Sequence, residues 1–326
     1  MSCFHPLTAY WATPYGSGIT FVKEKTIYTT NPIKLPCGQC SGCKLENARQ
    51  WAIRIKHEAS MHTQNTFITL TYDNEHLPPT GTLVLKHWQL FMKRLRRKVN
   101  DDIRKLNKKN NTNFPLKKLS FYHCGEYGEK QGRPHYHAII FNHQFSDLIP
   151  IPRKKDLHTS KTLDELWGKG FTSVGSVTFE SASYVASYVQ KKINGPKAEA
   201  INMSNGLRHY ERMTAEGEVI TLKKEYATMS RNPGIAALWL TKHHTDIYPS
   251  DFVTHKGKKH ALPKFYDRQY EMLINSTGHN PEIMETIKQK RQYKMESLKH
   301  LFTPEALKQK EVHHKAKMAL YKRNKL

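Results

Sequence analysis

The stretch that most limits the fold is residues 119–142. LSFYHCGEYG (119–128) and HYHAIIFN (135–142) are both rich in aromatic and β-branched residues. The segment between them, EKQGRP, cannot continue a strand, because Gly132 loosens the backbone and Pro134 lacks a ladder donor. Two strands folded back on each other result, and a natural antiparallel register sets Glu126 opposite His135 and Cys124 opposite His137. Side chains two apart on a strand share a face, so Glu126, His135 and His137 converge. Two imidazoles and a carboxylate, with room for water and phosphate oxygens, suit Mg²⁺ or Mn²⁺ engaged in phosphodiester chemistry. Cys124 leaves a cysteine-containing transition-metal site as an alternative, and two half-exposed strand histidines as another.

The rest of the chain reads as a mixture. Residues 44–60 carry Ala48, Trp51, Ala52 and Ile55 at helical spacing, and 85–99 place Trp88, Phe91, Leu95 and Val99 on one helical face. TFITLTYD (66–73) and FTSVGSVTFE (171–180) read as strands, while NKKNNTNFP (107–115) and IPIPRKK (149–155) read as connectors. A short helix is expected around 163–167, a longer one over 181–193, a hairpin turning at AEGE, and a further helix after Pro233. The expected class is α+β, a central four- to five-stranded antiparallel sheet flanked by helices, with a Cys-rich N-terminal segment and a basic helical tail. Boundaries are expected at 1–60, 61–200, 201–270 and 271–326. From Pro281 onward the tail has twelve Lys or Arg against five Glu, and Thr303-Pro304-Glu305 reads as a helix start.

Charge points to the partner. Lys and Arg number 52 against 28 acidic residues, a formal +24, which favours a polyanion through counterion release. No run of 18 apolar residues exists, so no membrane span is expected, and the first residues lack the pattern of a secretory signal. There is no GxxxxGK[ST] loop, so duplex unwinding is expected to come from another protein.

In SASYVASYVQKK, Tyr184, Tyr188 and Lys191 fall on one helical face. A phenol titrates near 10 and needs a neighbouring cation or metal to attack at neutral pH. Two tyrosines with a lysine are what two successive attacks on phosphate would use. Lys192, about 100° further round, is the second choice. A pair of tyrosines packed on the sheet is the alternative. The third constellation is CGQCSGC, Cys37, Cys40 and Cys43, which Cys3 completes as an all-cysteine zinc site. His5 or Cys124 as fourth ligand, an iron–sulfur cluster and free reduced thiols stay open here. The odd total of five cysteines argues against a disulfide framework and for a reducing compartment.

FITLTYD, GRPHYHAIIF and YVASYVQK, in that order, resemble the three motifs of the histidine–hydrophobic–histidine (HUH) rolling-circle initiators, in the branch with two tyrosines. PCGQCSGCKLENARQWAIR, GEYG, MSRNPGIAALW and LPKFYDR are similar to the replication initiators of microviruses, the gokushovirus group in particular. The likeness covers roughly residues 37–270; its one mild departure is Tyr136 between the histidines. The resemblance implies metal ligation by His135, His137 and Glu126. It implies attack by Tyr184 or Tyr188 on single-stranded origin DNA to give a 5′-phosphotyrosine and a free 3′-OH, with Lys191 stabilising charge, and strand joining by reversal. It further implies a host helicase and polymerase as partners and the bacterial cytoplasm as the place of action. A non-catalytic basic nucleic-acid-binding protein, and an HUH transposase or relaxase, are the alternative readings.

Overall fold

The computed structural model describes residues 3–12, 18–23, 32–128, 132–154, 156–188, 192–214, 216–277 and 282–323. The chain divides into two compact units, Met1–Asn47 with Asn280–Leu326, and Ala48–His279.

The first unit holds a small antiparallel sheet of β1 (Leu7–Trp11), β2 (Ile19–Thr20) and β3 (Ile33–Leu35), in the order β2–β1–β3. Sequence patterning does not reveal it, because strands this short show no sustained alternation. The helix α1 (Ser41–Ser60) starts in this unit and runs on into the second.

The second unit is built on β4 (Asn65–Thr71), α2 (Leu85–Asn110), β5 (Ser120–Tyr127), β6 (Pro134–Phe141), β7 (Leu148–Pro150) and β8 (Leu157–Ser160). It continues through α3 (Lys161–Trp167), β9 (Thr172–Gly175), α4 (Phe179–Tyr188), α5 (Pro196–Glu199), β10 (Glu211–Met213), β11 (Val219–Thr221) and β12 (Tyr226–Met229). It closes with α6 (Ala237–Ile247), the hairpin β13 (Phe252–His255) and β14 (Lys258–Ala261), and α7 (Lys264–Thr277). In the first unit α8 (Glu282–Ser297) and α9 (Pro304–Arg323) complete the chain. Thr303 Oγ1 accepts from Ala306 N at the start of α9, the side-chain cap that the Thr-Pro-Glu signal implies.

The central sheet is antiparallel throughout and has seven strands, ordered β12–β5–β6–β4–β9–β8–β7. The expected four or five are therefore too few. The segment read as a connector at 149–155 begins inside the edge strand β7 and leads to β8, its inner neighbour, and β12 forms the other edge. Such short edge strands are set by their pairing partners rather than by their own pattern. The strand expected over 171–180 stops at Gly175, because Thr178 and Ser181 begin α4 by capping each other: Ser181 N donates to Thr178 Oγ1 and Thr178 N to Ser181 Oγ.

Each face of the sheet takes its own helices. On one side α2 buries Trp88, Phe91, Met92, Leu95 and Val99 against Ile68, Leu70, Tyr136, Ala138 and Ile140, with Leu163 and Trp167 of α3 in the same core. Burying each such side chain stabilises by about 1.5–3 kcal/mol. The apolar period predicts an end near Val99, but the helix continues to Asn110. Beyond Val99, Ile103 still packs against this core; the remainder is mostly polar, carries Arg97–Asp101 and Lys98–Asp102 pairs at i,i+4, and is stopped by the left-handed Asn111. On the other side Ala52 and Ile55 of α1, and Ala182 and Val185 of α4, pack on Phe67, Tyr122, Cys124, Ile139 and Phe141. Alanine at 182 lets α4 lie close to the strands, which carries Tyr184 to the edge of the histidine face.

Candidate metal centre and tyrosine helix

The β5–β6 hairpin adopts the register its alternation implies, with Glu126 opposite His135 and Cys124 opposite His137. Ligand atoms of Glu126, His135 and His137 lie within 4.8 Å of one another. Glu126 and His137 are buried, and His135 is partly open to solvent. Nε2 of His135 stands 2.6 Å from Glu126 Oε1 and Nε2 of His137 stands 3.2 Å from the same oxygen. Burial alone would raise the Glu126 pKa. Hydrogen bonds to His135 and His137 outweigh it and hold the carboxyl at about 2, so it is an anion at neutral pH.

The far side of each ring decides which nitrogen faces the carboxylate. Nδ1 of His135 donates to Arg133 O at 3.1 Å, and Nδ1 of His137 is paired with Thr69 Oγ1 at 3.0 Å. A carbonyl can only accept, so His135 carries its proton on Nδ1 and turns Nε2 inward. This donor set fits a divalent ion: two imidazole nitrogens and a carboxylate oxygen, with outer partners that fix ring orientation. Cys124, though on the same face, is not part of the cluster.

Tyr136, between the histidines, points into the opposite core and is fully buried. Its hydroxyl donates to Val84 O at 3.1 Å, accepts from Val84 N at 2.9 Å and lies 2.8 Å from Tyr72 Oη. That network explains how a phenol sits where the resemblance expects an aliphatic side chain: every polar valence is met.

Helix α4 brings the tyrosines. Ala182, Val185 and Ala186 are its buried face, which leaves Tyr184 half exposed at the rim. The Tyr184 ring meets His137 edge-on at 5.6 Å between centroids and Phe67 at 6.4 Å. Tyr188 ends the helix one turn later and its side chain lies outside the described residues, as does Lys191 altogether. Lys192 is described and comes after α4.

In the first unit, Sγ atoms of Cys3, Cys37, Cys40 and Cys43 all lie within 4.8 Å of one another. The fourth member is therefore Cys3, with His5 instead 2.9 Å from Glu311. Backbone amides point at the sulfurs: Cys37 N to Cys3 Sγ at 3.2 Å, Cys40 N to Cys37 Sγ at 3.4 Å, and Phe4 N to Cys40 Sγ at 3.4 Å. Burial opposes ionisation of Cys40, but the Phe4 and Cys43 amides outweigh it and bring the thiol to about 7. Burial pushes the Cys43 thiol up. Four convergent sulfurs with amide donors are the donor set of a thiolate metal knuckle.

Sequence reading misses Thr69 and the Arg133 carbonyl as partners of the histidines. Alternation within FITLTYD would put Thr69 on the histidine face, but only the β4–β6 register, which pairs Thr69 with His137, makes it a neighbour.

Fold and site together define an α+β protein with a candidate metal centre on an antiparallel sheet and a tyrosine-bearing helix beside it. The family of replication-associated proteins of the ORF2 type matches residues 65–193, the stretch from β4 to just beyond α4. Over 275 residues the chain is 30% identical to "Replication-associated protein VP4" of Bdellovibrio phage phiMH2K, covering 83% of this chain and 78% of that one. It is 31% identical over 249 residues to "Replication-associated protein ORF2" of Spiroplasma virus 4, covering 73% of this chain and 68% of that one. A shorter stretch of 165 residues is 36% identical to "Replication-associated protein ORF4" of Chlamydia phage 1, covering 48% of this chain and 38% of that protein. No solved structure matches. The chain belongs to the family of microvirus replication initiators. Among the described residues no helix is long and apolar enough to cross a membrane.

Proposed function

We propose that the protein starts and ends rolling-circle replication of a small circular single-stranded DNA genome by nicking and rejoining the origin strand. The observation that carries this reading is the placement of Tyr184 against His137, beside Glu126 and His135. A Mg²⁺ or Mn²⁺ held by His135, His137 and Glu126 would supply Lewis-acid polarisation of the scissile phosphate. The chain's own residues do the rest. Tyr184 or Tyr188 attacks phosphorus, its phenolic proton is lost, and the 3′-oxygen leaves as a free hydroxyl that can prime synthesis. The new phosphotyrosine ester replaces one phosphodiester bond, so later attack by a 3′-OH reverses the step and closes a strand without ATP. Lys191 is assigned to stabilise charge on phenolate or phosphate. Nicking is assigned to 61–200, with 1–60, 201–270 and the tail 271–326 as flanking parts. Host helicase and polymerase in the bacterial cytoplasm would do the unwinding and synthesis. The direct test is mass spectrometry of the tyrosine peptide after incubation with origin DNA and Mn²⁺. The tryptic peptide 170–191, which holds both tyrosines, is expected to carry nucleotide mass, and the absence of that mass from a cleaving reaction would overturn the mechanism.

Thr69 tests the metal part on its own. Thr69→Val removes the partner of His137 Nδ1 while preserving shape, and should weaken metal affinity about 10–100-fold. The readout is the Mn²⁺ concentration for half-maximal binding, followed by paramagnetic relaxation; an unchanged value would exclude the positioning role.

For the cysteines the proposed ion is a structural Zn²⁺. Zinc near one equivalent per chain is expected, and Cys40→Ser should lose the metal and lower the melting temperature. Metal-free protein with unchanged melting after that substitution would favour free thiols.

A further inference from the structure

The strand register that gathers the metal ligands also lines up a residue that the chemistry has not used. Thr71 pairs with His135, and His135 with Glu126. Carried one step beyond Thr172, the β4–β9 register sets Phe171 opposite Thr71, and Thr71 N donates to Phe171 O at 2.9 Å. Phe171, Thr71, His135 and Glu126 thus form one row across four strands' width. Alternation fixes the face. Val174 lies in the α2-side core, so Ser173 and Phe171 belong to the opposite face, the one that carries His135 and Glu126.

The Phe171 ring is 71% exposed. Single exposed apolar residues are ordinary, but this one stands on a firmly held backbone. Asp73 N donates to Lys169 O at 3.0 Å and Trp167 Nε1 to Thr71 O at 3.0 Å. Between them Gly170, at φ +130°, lies so close that a Cβ there would come within 2.2 Å of Asp73 N. With strands about 4.8 Å apart, Phe171 sits roughly 10 Å from His135 along the row. That is about one or two nucleotides along an extended strand.

We propose that Phe171 is a stacking platform for one unpaired base of the DNA strand, next to the nucleotide whose phosphate lies at Glu126, His135 and His137. The inference rests on the nicking function proposed above and names how its substrate is held. Every base has a π-face, so such a platform sets the position of the strand without reading its sequence. Bases in a duplex are already stacked and cannot use it. The platform therefore favours single-stranded over duplex DNA.

The test uses the full chain without added Mg²⁺ or Mn²⁺, so that no cleavage occurs and the four-cysteine site is left undisturbed, with a fluorescein-labelled single-stranded oligonucleotide of mixed sequence and its duplex. Phe171→Ala, Phe171→Leu and Phe171→Trp are compared with the parent by anisotropy at fixed salt, after checking that melting temperatures agree. Alanine and leucine should weaken single-strand binding about 5- to 150-fold, the range that base stacking on an aromatic ring supports. Tryptophan should stay within about threefold of the parent, and all four proteins should bind duplex equally. Parent-like binding by the alanine variant, or full rescue by leucine, would overturn the platform and leave the nicking reaction standing. Equal loss on single strand and duplex would overturn it too. Failure of the parent to bind single strands at all would remove both proposals together.

Discussion

His137→Ala is expected to abolish cleavage of single-stranded DNA, lowering the rate on the order of 10³-fold or more, while DNA affinity stays within about threefold. The two quantities separate because they have different sources. Affinity comes from the surplus of 24 positive charges spread over the chain, and one imidazole adds little to it. Cleavage needs charge stabilisation at one phosphate, and His137 supplies a third of the protein ligands that would position it. His137 is buried beside Phe67, so removing it also leaves a cavity. His135→Ala, at a more open position, is the companion variant and should show the same loss with an unchanged melting temperature. Glu126→Ala should raise the Mn²⁺ needed for cleavage. Full activity in EDTA would rule out the metal mechanism whatever these variants do.

The second large effect concerns the tyrosines. Tyr184→Phe with Tyr188→Phe should give a protein that binds single-stranded DNA and never becomes covalently attached to it. Phenylalanine keeps the edge-on packing of residue 184 on His137 and Phe67, so the loss reports the hydroxyls and not the fold. Each single variant should still form some adduct on a short single strand. Both positions lie one helical turn apart and could reach one phosphate with a small adjustment. Their rates should differ, and both should lose most of the second cleavage that releases a unit-length circle. An adduct in the double variant, or one mapped to Tyr122 or Tyr127, would place the nucleophile on the wrong element. Tyr122 is fully buried, and the Tyr127 hydroxyl donates to Lys223 O at 2.7 Å, so neither is poised to attack.

Sequence alone makes the centre of this fold legible and leaves its margins obscure, for a physical reason. Residues 120–141 announce themselves because a two-sided buried hairpin must alternate, and Gly132-Arg133 interrupts the alternation just before Pro134 opens β6. That suffices to place Glu126 opposite His135. The face of α2 is equally readable through Val99, where apolar residues recur at 3.6-residue spacing. Past Val99 the apolar period thins: Ile103 is partly buried against the core but Leu106 is exposed, and charged residues between them mask the signal. The edge strand β7, its neighbour β8, and the hairpin β13–β14 are only three or four residues long, too short for any pattern to stand out. Thr69 and Phe171 are invisible for a different reason. Their significance lies in which strand each one neighbours, and pairing between distant strands is not written in either strand by itself.

Tyr136 makes the strand β6 intolerant of slippage. Its hydroxyl is clamped to Val84 and Tyr72 on one side of the sheet, while the histidines on either side of it face the other. A shift of β6 by a single residue would drive both imidazoles into the apolar layer beneath α2 and push the phenol out onto the opposite face. The clamp therefore acts as an indexing pin: a side chain on the opposite face of the sheet keeps Glu126, His135 and His137 together on theirs.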